Sequence, residues 1–153
     1  MILPAEIAMP DEAATSRLGA ALAGVLRDGE AVCLSGPLGA GKSTLARALV
    51  RALTRPDEDV PSPTFTLVQF YEAAAFPLAH FDLYRLTRPE EAFEIGLDEA
   101  LDEGAVLIEW PQRLEGRLPP DRLDIEISLE NGGETRRARL TAHGAWKGRT
   151  LEF

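Results

Sequence analysis

Eight residues, Gly36-Pro37-Leu38-Gly39-Ala40-Gly41-Lys42-Ser43, satisfy the spacing G-x-x-x-x-G-K-[ST] at every fixed position. Glycines at these places let the backbone turn tightly, so that successive N–H groups point into one concavity that suits an anion. A helix starting near Lys42 adds the positive end of its dipole at the same spot. Lys42 brings a full charge to the β- and γ-phosphates of a nucleotide, which makes it a binding and a catalytic candidate. The Ser43 hydroxyl is a hard oxygen donor suited to Mg2+. The chain has only two lysines against fourteen arginines, and one of the two falls at the position where this motif requires a lysine.

Chemistry at a phosphate also needs a carboxylate near the metal. Two acids follow strand-like runs: Asp82 after Leu78-Ala79-His80-Phe81, and Glu109 after Ala105-Val106-Leu107-Ile108. Ligands of open parallel sheets gather at the carboxyl ends of strands, so Glu109 is well placed as a metal carboxylate. Asp82 has a competing reading as the ion-pair partner of Arg85. His80 reads first as a hydrogen-bonded structural histidine, and Trp110 as a core tryptophan, with packing near a nucleotide as its alternative. Ser62-Pro63-Thr64-Phe65 sits where many P-loop proteins keep the segment that senses the γ-phosphate. Its hydroxyls fit that role and fit a plain turn before a strand equally well.

These residues must be carried by alternating strands and helices. Ile2 to Ala8 is expected to form a short strand, and Asp11 to cap a helix whose Ala14, Leu18, Ala21, Leu22, Val25 and Leu26 share one face until Asp28-Gly29. The apolar run 31–35 suits a buried parallel strand, and a helix is expected from about Lys42 to Leu53. Three prolines make 55–63 a loop. Strands are expected over 65–71 and 78–84. An acidic helical stretch should begin at Pro89-Glu90-Glu91, break near Gly96 and resume to about Leu101. A buried strand follows over 105–108. The alternation at Leu123, Ile125, Ile127 and Leu129 predicts a half-buried strand, Asn131-Gly132-Gly133 a hairpin turn and 137–141 the return.

At 153 residues the chain suits one domain, 1–153, and no apolar run approaches the roughly 18 residues of a membrane span. The N-terminus lacks the basic patch and apolar core of a signal peptide. The single cysteine, Cys33, lies in an apolar run and is expected to be buried. Together these features suit the cytoplasm. The net charge of -9 is unevenly spread: residues 55–134 carry nineteen acids against six bases, whereas residues 135–153 carry five bases against one acid. A chain that grips nucleic acid by itself usually shows a basic surface. A protein partner is therefore a better expectation than direct RNA or DNA binding, although acids that merely solubilise a small domain fit the charge equally well.

Four segments occur here in a telling order: Leu38-Gly39-Ala40-Gly41-Lys42-Ser43-Thr44, Ser62-Pro63-Thr64-Phe65-Thr66-Leu67-Val68, His80-Phe81-Asp82-Leu83-Tyr84-Arg85-Leu86 and Ile108-Glu109-Trp110-Pro111. This set resembles the TsaE (YjeE) family of bacterial ATPases, over about residues 7–140. The resemblance implies a three-layer α/β P-loop NTPase fold with a mixed, largely parallel central sheet. It implies ATP and Mg2+ as cofactors, TsaD and TsaB as partners, and a part in making threonylcarbamoyladenosine at position 37 of tRNA. By similarity Gly39, Ala40, Gly41, Lys42, Ser43 and Thr44 would hold phosphates. Ser43 and Glu109 would bind the metal, Asp82 would serve hydrolysis, and Glu12, Thr64 and Arg136 would lie near the nucleotide. Two positions depart from the family: Pro37 replaces the usual aspartate, and Ser43 the usual threonine, which keeps the hydroxyl. Two other classes stay open on residues alone. A small-molecule P-loop kinase would normally carry an arginine-rich lid, which the acidic stretch after the P-loop helix lacks. The other is a nucleotide-gated binding module whose hydrolysis is incidental.

Overall fold

The computed structural model describes residues 1–63 and 65–153. Strand β1 (Ala5–Met9) leads into helix α1 (Glu12–Ala23), where the Asp11 carboxylate accepts the Ala14 N–H at 2.8 Å and so caps the first turn. The helix stops at Ala23, before the expected Asp28-Gly29, because Gly24 is a poor helix former; Leu26 nonetheless stays buried. β2 (Ala31–Ser35) and α2 (Lys42–Leu53) fall where the sequence places them. β3 (Val68–Glu72) and β4 (Pro77–Asp82) form a hairpin. Gly96 divides the acidic stretch into α3 (Glu90–Glu94) and α4 (Leu97–Glu103). β5 (Ala105–Glu109), β6 (Arg122–Glu130) and β7 (Thr135–Ala142) complete the chain's regular elements.

Among the described residues the strands form one sheet in the order β1-β7-β6-β2-β5-β4-β3. The central pairings, β6 with β2, β2 with β5 and β5 with β4, are parallel, and the three outer pairings are antiparallel. Side chains alternate across a strand, and β2 shows the consequence. Val32 and Leu34 pack with Leu18, Leu22, Leu45 and Leu49 of α1 and α2. Ala31 and Cys33 pack on the other face with Ala92, Leu97 and Ala100 of α3 and α4. The sheet is thus the middle of three layers, and β2 and β5 are apolar up to their last residues, Ser35 and Glu109, because both their faces are covered.

Two strands begin later than expected. Ile2 makes only an isolated bridge to Thr150, and β1 starts at Ala5. Residues 65–67 turn rather than extend, and β3 starts at Val68, where its pairing with Phe81 of β4 begins. The excess of bases over residues 135–153 does not form a free patch. Arg137 pairs with Glu130 at 2.6 Å, Arg139 with Glu6 at 3.1 Å and Arg149 with Glu30 at 2.7 Å. Arg136 turns inward to the glycine-rich loop.

Candidate functional site

The turn between β2 and α2 depends on glycine at two places. Gly36 has φ +144°, and a Cβ there would meet the Ile127 carbonyl oxygen at 2.5 Å. Gly41, at φ +106°, starts α2 without a side chain in the way. Lys42 follows as the first residue of α2 and is only 6% exposed. Its Nζ donates to the Gly36 carbonyl at 2.5 Å and lies 3.9 Å from the centroid of the Trp110 ring. Burial holds this ammonium below the ordinary lysine value, while the charges of Glu109 and Asp82 pull it back up.

Both carboxylates stand at the carboxyl ends of parallel strands. Asp82 closes β4 and Glu109 closes β5, directly opposite each other in register. Each is 5% exposed. Asp82 accepts the Tyr84 backbone N–H at 3.1 Å, and Arg85 turns instead to the ring of Phe65, 4.5 Å from its centroid. Glu109 Oε2 lies 2.7 Å from His80 Nε2, inside the protein. Past Glu109 the chain bends, with Trp110 at φ +61° and its N–H bonded to the Leu34 carbonyl at 3.2 Å. That bend aims the half-buried indole toward Lys42, so Trp110 belongs to the site as well as to the edge of the core, contrary to the simple core reading. Its ring also meets that of Tyr84, with centroids 4.9 Å apart.

A cavity of about 400 Å³ brings Lys42, Ser43 and Thr44 together with Asp82, Glu109 and Trp110, and Ser62 joins its lining. A second hollow of about 320 Å³ lies on the other side of the loop, against Glu12, Thr15 and Arg136. Gly39, Gly41 and Thr44 border both hollows, and Ala40 borders the second. Arg136 reaches the loop through Nε to the Ala40 carbonyl at 3.1 Å and Nη2 to the Gly39 carbonyl at 3.3 Å. The expected site residues therefore fall into two groups divided by the glycine-rich turn. Lys42, Ser43, Asp82 and Glu109 form one group, and Glu12 and Arg136 the other. Thr64 lies outside the described residues.

The donor set suits a nucleotide with a small hard cation. Among the described residues no cluster of three or more His, Cys, Asp or Glu could cage a metal alone. One hydroxyl and one or two carboxylates beside a phosphate-binding turn are instead what Mg2+ uses when substrate oxygens and water fill its shell. The structure adds to the structural reading of His80 its contact with Glu109; the spacing of His80 two residues before Asp82 shows only that those two side chains share a strand face.

By fold the chain is a P-loop NTPase: a buried parallel strand feeds a glycine turn, which feeds a helix N-terminus inside a three-layer α/β sheet. Comparison with known proteins narrows the class. The family model described as "Threonylcarbamoyl adenosine biosynthesis protein TsaE" matches residues 9–138, and the chain belongs to the TsaE family. Relatives carry the name tRNA threonylcarbamoyladenosine biosynthesis protein TsaE. One from Aquifex aeolicus is 38% identical over 138 residues, covering 89% of this chain and 97% of that one. One from Bacillus subtilis is 38% identical over 139 residues, covering 88% and 82%. One from Rickettsia conorii is 35% identical over 132 residues, covering 86% and 75%. The crystal structure of Bacillus subtilis YdiB matches with a TM-score of 0.75 at 29% identity, covering 94% of this chain and 88% of that one.

Proposed function

We propose that the protein binds ATP with Mg2+ and hydrolyses it as a component of the machinery that makes N6-threonylcarbamoyladenosine at position 37 of tRNA, together with TsaD and TsaB. Family membership supports the pathway. The observation that carries the ATPase reading is the convergence of Lys42, Ser43, Asp82 and Glu109 on one cavity at the carboxyl ends of β4 and β5.

The residues divide the work by their chemistry. Backbone N–H groups of residues 39–44 and the Lys42 ammonium hold the phosphates. To do so Lys42 exchanges the Gly36 carbonyl for phosphate oxygens, a stronger bond because the acceptor is then charged as well as the donor. The Ser43 hydroxyl and the Glu109 carboxylate are the oxygens that would hold the metal, and Mg2+ when bound supplies charge neutralisation at the phosphate oxygens. Asp82, one strand over, is placed to orient the attacking water or accept its proton. Arg136 fixes the loop carbonyls between the two hollows, and Glu12 faces the hollow suited to the nucleoside. The γ-phosphate-sensing role of Ser62 and Thr64 fits the position of Ser62 in the cavity lining.

The acidic stretch 55–134 opposes a phosphate backbone, which supports contact with tRNA through partners rather than directly. Among the described residues no helix is long and apolar enough to cross a membrane, in keeping with work in the cytoplasm. The family relationship favours this reading over a small-molecule kinase or a binding module without turnover. The test is ATP hydrolysis by the chain alone, with TsaD or TsaB singly, and with both. Slow turnover alone that rises with both partners is expected. Fast turnover indifferent to partners would point to an independent enzyme.

A further inference from the structure

We infer that His80 is a positioning residue for Glu109, holding one carboxylate oxygen so that the other is presented to the metal. The inference deepens the metal role proposed for Glu109 and rests on it.

His80 lies on β4 opposite Leu107 of β5, two residues before the Asp82–Glu109 pair. Residues two apart on a strand share a face. Glu109 therefore stands diagonally ahead of His80, within reach of a long side chain across the strand pair. The imidazole uses this reach: Nε2 stands 2.7 Å from Oε2, with His80 3% and Glu109 7% exposed at the side chain. Between a ring nitrogen and a carboxylate, Nε2 is the donor. Oε2 is thereby occupied, and Oε1 is the oxygen left for a cation on the cavity side.

The rest of the His80 environment argues against a merely structural histidine. Its Nδ1 is buried and has no hydrogen-bond partner among the described residues. Buried polar groups are normally satisfied, and one left without a partner calls for an explanation such as a role in a site. Among the described residues, the side-chain hydrogen bond of this 2% exposed residue goes to the carboxylate proposed for the metal. Metal-binding carboxylates are commonly held by such outer hydrogen bonds, and losing one typically costs 10–100-fold in metal affinity. Without the imidazole, the Glu109 carboxylate is free to rotate toward Lys42, which lines the same cavity.

The experiment is calorimetric titration of the full chain with ADP, once with excess MgCl2 and once with EDTA, for wild type, His80→Gln and His80→Phe, with a melting curve for each. Wild type should bind ADP more tightly with MgCl2. His80→Phe should lose about 10–100-fold of that magnesium-dependent gain and keep its ADP affinity in EDTA. His80→Gln, whose amide N–H sits near the place of Nε2, should recover most of the gain. A folded His80→Phe protein that keeps the full gain overturns the inference. So does a loss of affinity equal with and without magnesium that His80→Gln does not repair, since that marks a structural residue. If His80→Phe does not fold, comparison of His80→Gln with His80→Asn, whose amide is too short to reach Oε2, decides in the same way. Wild type that binds no ADP, or binds it without regard to magnesium, contradicts the proposed function instead.

Discussion

The Lys42 ammonium sits between the Gly36 carbonyl, at 2.5 Å, and the face of the Trp110 ring, 3.9 Å from its centroid. A cation over an indole perturbs it, so a phosphate that draws Lys42 away should change Trp110 emission. The other tryptophan, Trp146, is fully buried near Arg149 and provides a steady background. Lys42→Ala should abolish the ATP-induced change. It should also weaken ATP binding about ten- to hundredfold, because a charge-assisted hydrogen bond contributes about 1.5–3 kcal/mol. Unchanged affinity in a folded variant would refute the P-loop assignment.

The same lysine sets a pH dependence. Burial lowers its folded pKa below the ordinary 10.5. Between those two values the unfolded chain binds the proton more tightly, so the lysine's contribution to stability rises with pH. ATP binding runs the other way, because the phosphates need the charged form. Affinity should therefore fall as pH rises, with the fall beginning before pH 10.5 is reached, and a Lys42→Arg variant, charged throughout, should not show that fall.

Glu109→Gln and Asp82→Asn keep side-chain shape and remove the charge that, on the proposed function, would hold a metal or orient water. Both should reduce ATP turnover in the assembled complex far more than ATP binding, and Glu109→Gln should also blunt the magnesium dependence of binding. Wild-type turnover in both variants would make these carboxylates structural.

How far the sequence reaches is clear from these residues. The apolar run of β2 and the spacing from Gly36 to Ser43 fix the strand, turn and helix locally, and the structure places them as expected. Glu109 was placed by the same logic, since a continuous apolar run predicts a doubly covered strand. The contact between His80 and Glu109 is another matter. It joins positions 29 apart and depends on the register of β4 against β5, which no local pattern encodes. The start of β3 failed for a related reason. Phe65 suits a strand by propensity, yet it is 81% exposed and its segment turns, because pairing with β4 begins only at Val68. The excess of bases over residues 135–153 is plain in the sequence, but each ion pair that disperses it needs the three-strand arrangement of β1, β7 and β6 or the packing of Arg149 on Glu30.

Gly36→Ala should both destabilise the protein and spoil nucleotide binding. A Cβ there meets the Ile127 carbonyl oxygen at 2.5 Å, and φ +144° is a conformation that alanine rarely adopts. Strain of this kind costs about 1–3 kcal/mol. A melting curve and an ATP titration check it, and a wild-type melting temperature would show that β6 yields easily.

Cys33 should be unreactive in the folded chain. It is 1% exposed, and burial, aided by the charge of Asp124, pushes its thiol up to about 12 from 9.0. The folded state keeps the proton that the unfolded state releases, so this group's contribution to stability is present below pH 9.0 and declines as pH rises from there toward about 12. A thiol reagent at pH 8 should label Cys33 only as fast as the chain unfolds. Rapid stoichiometric labelling of native protein would contradict the burial.

The most direct measurement is formation of threonylcarbamoyladenosine on a tRNA substrate in a reaction reconstituted with TsaD, TsaB, the precursor carrying the threonylcarbamoyl group, ATP and Mg2+. Wild-type chain, no chain, and the Lys42→Ala and Glu109→Gln variants are compared. The account predicts that modified nucleoside accumulates with wild type and falls to the level without the chain in both variants. Equal accumulation with and without the chain, or with either variant, would contradict it.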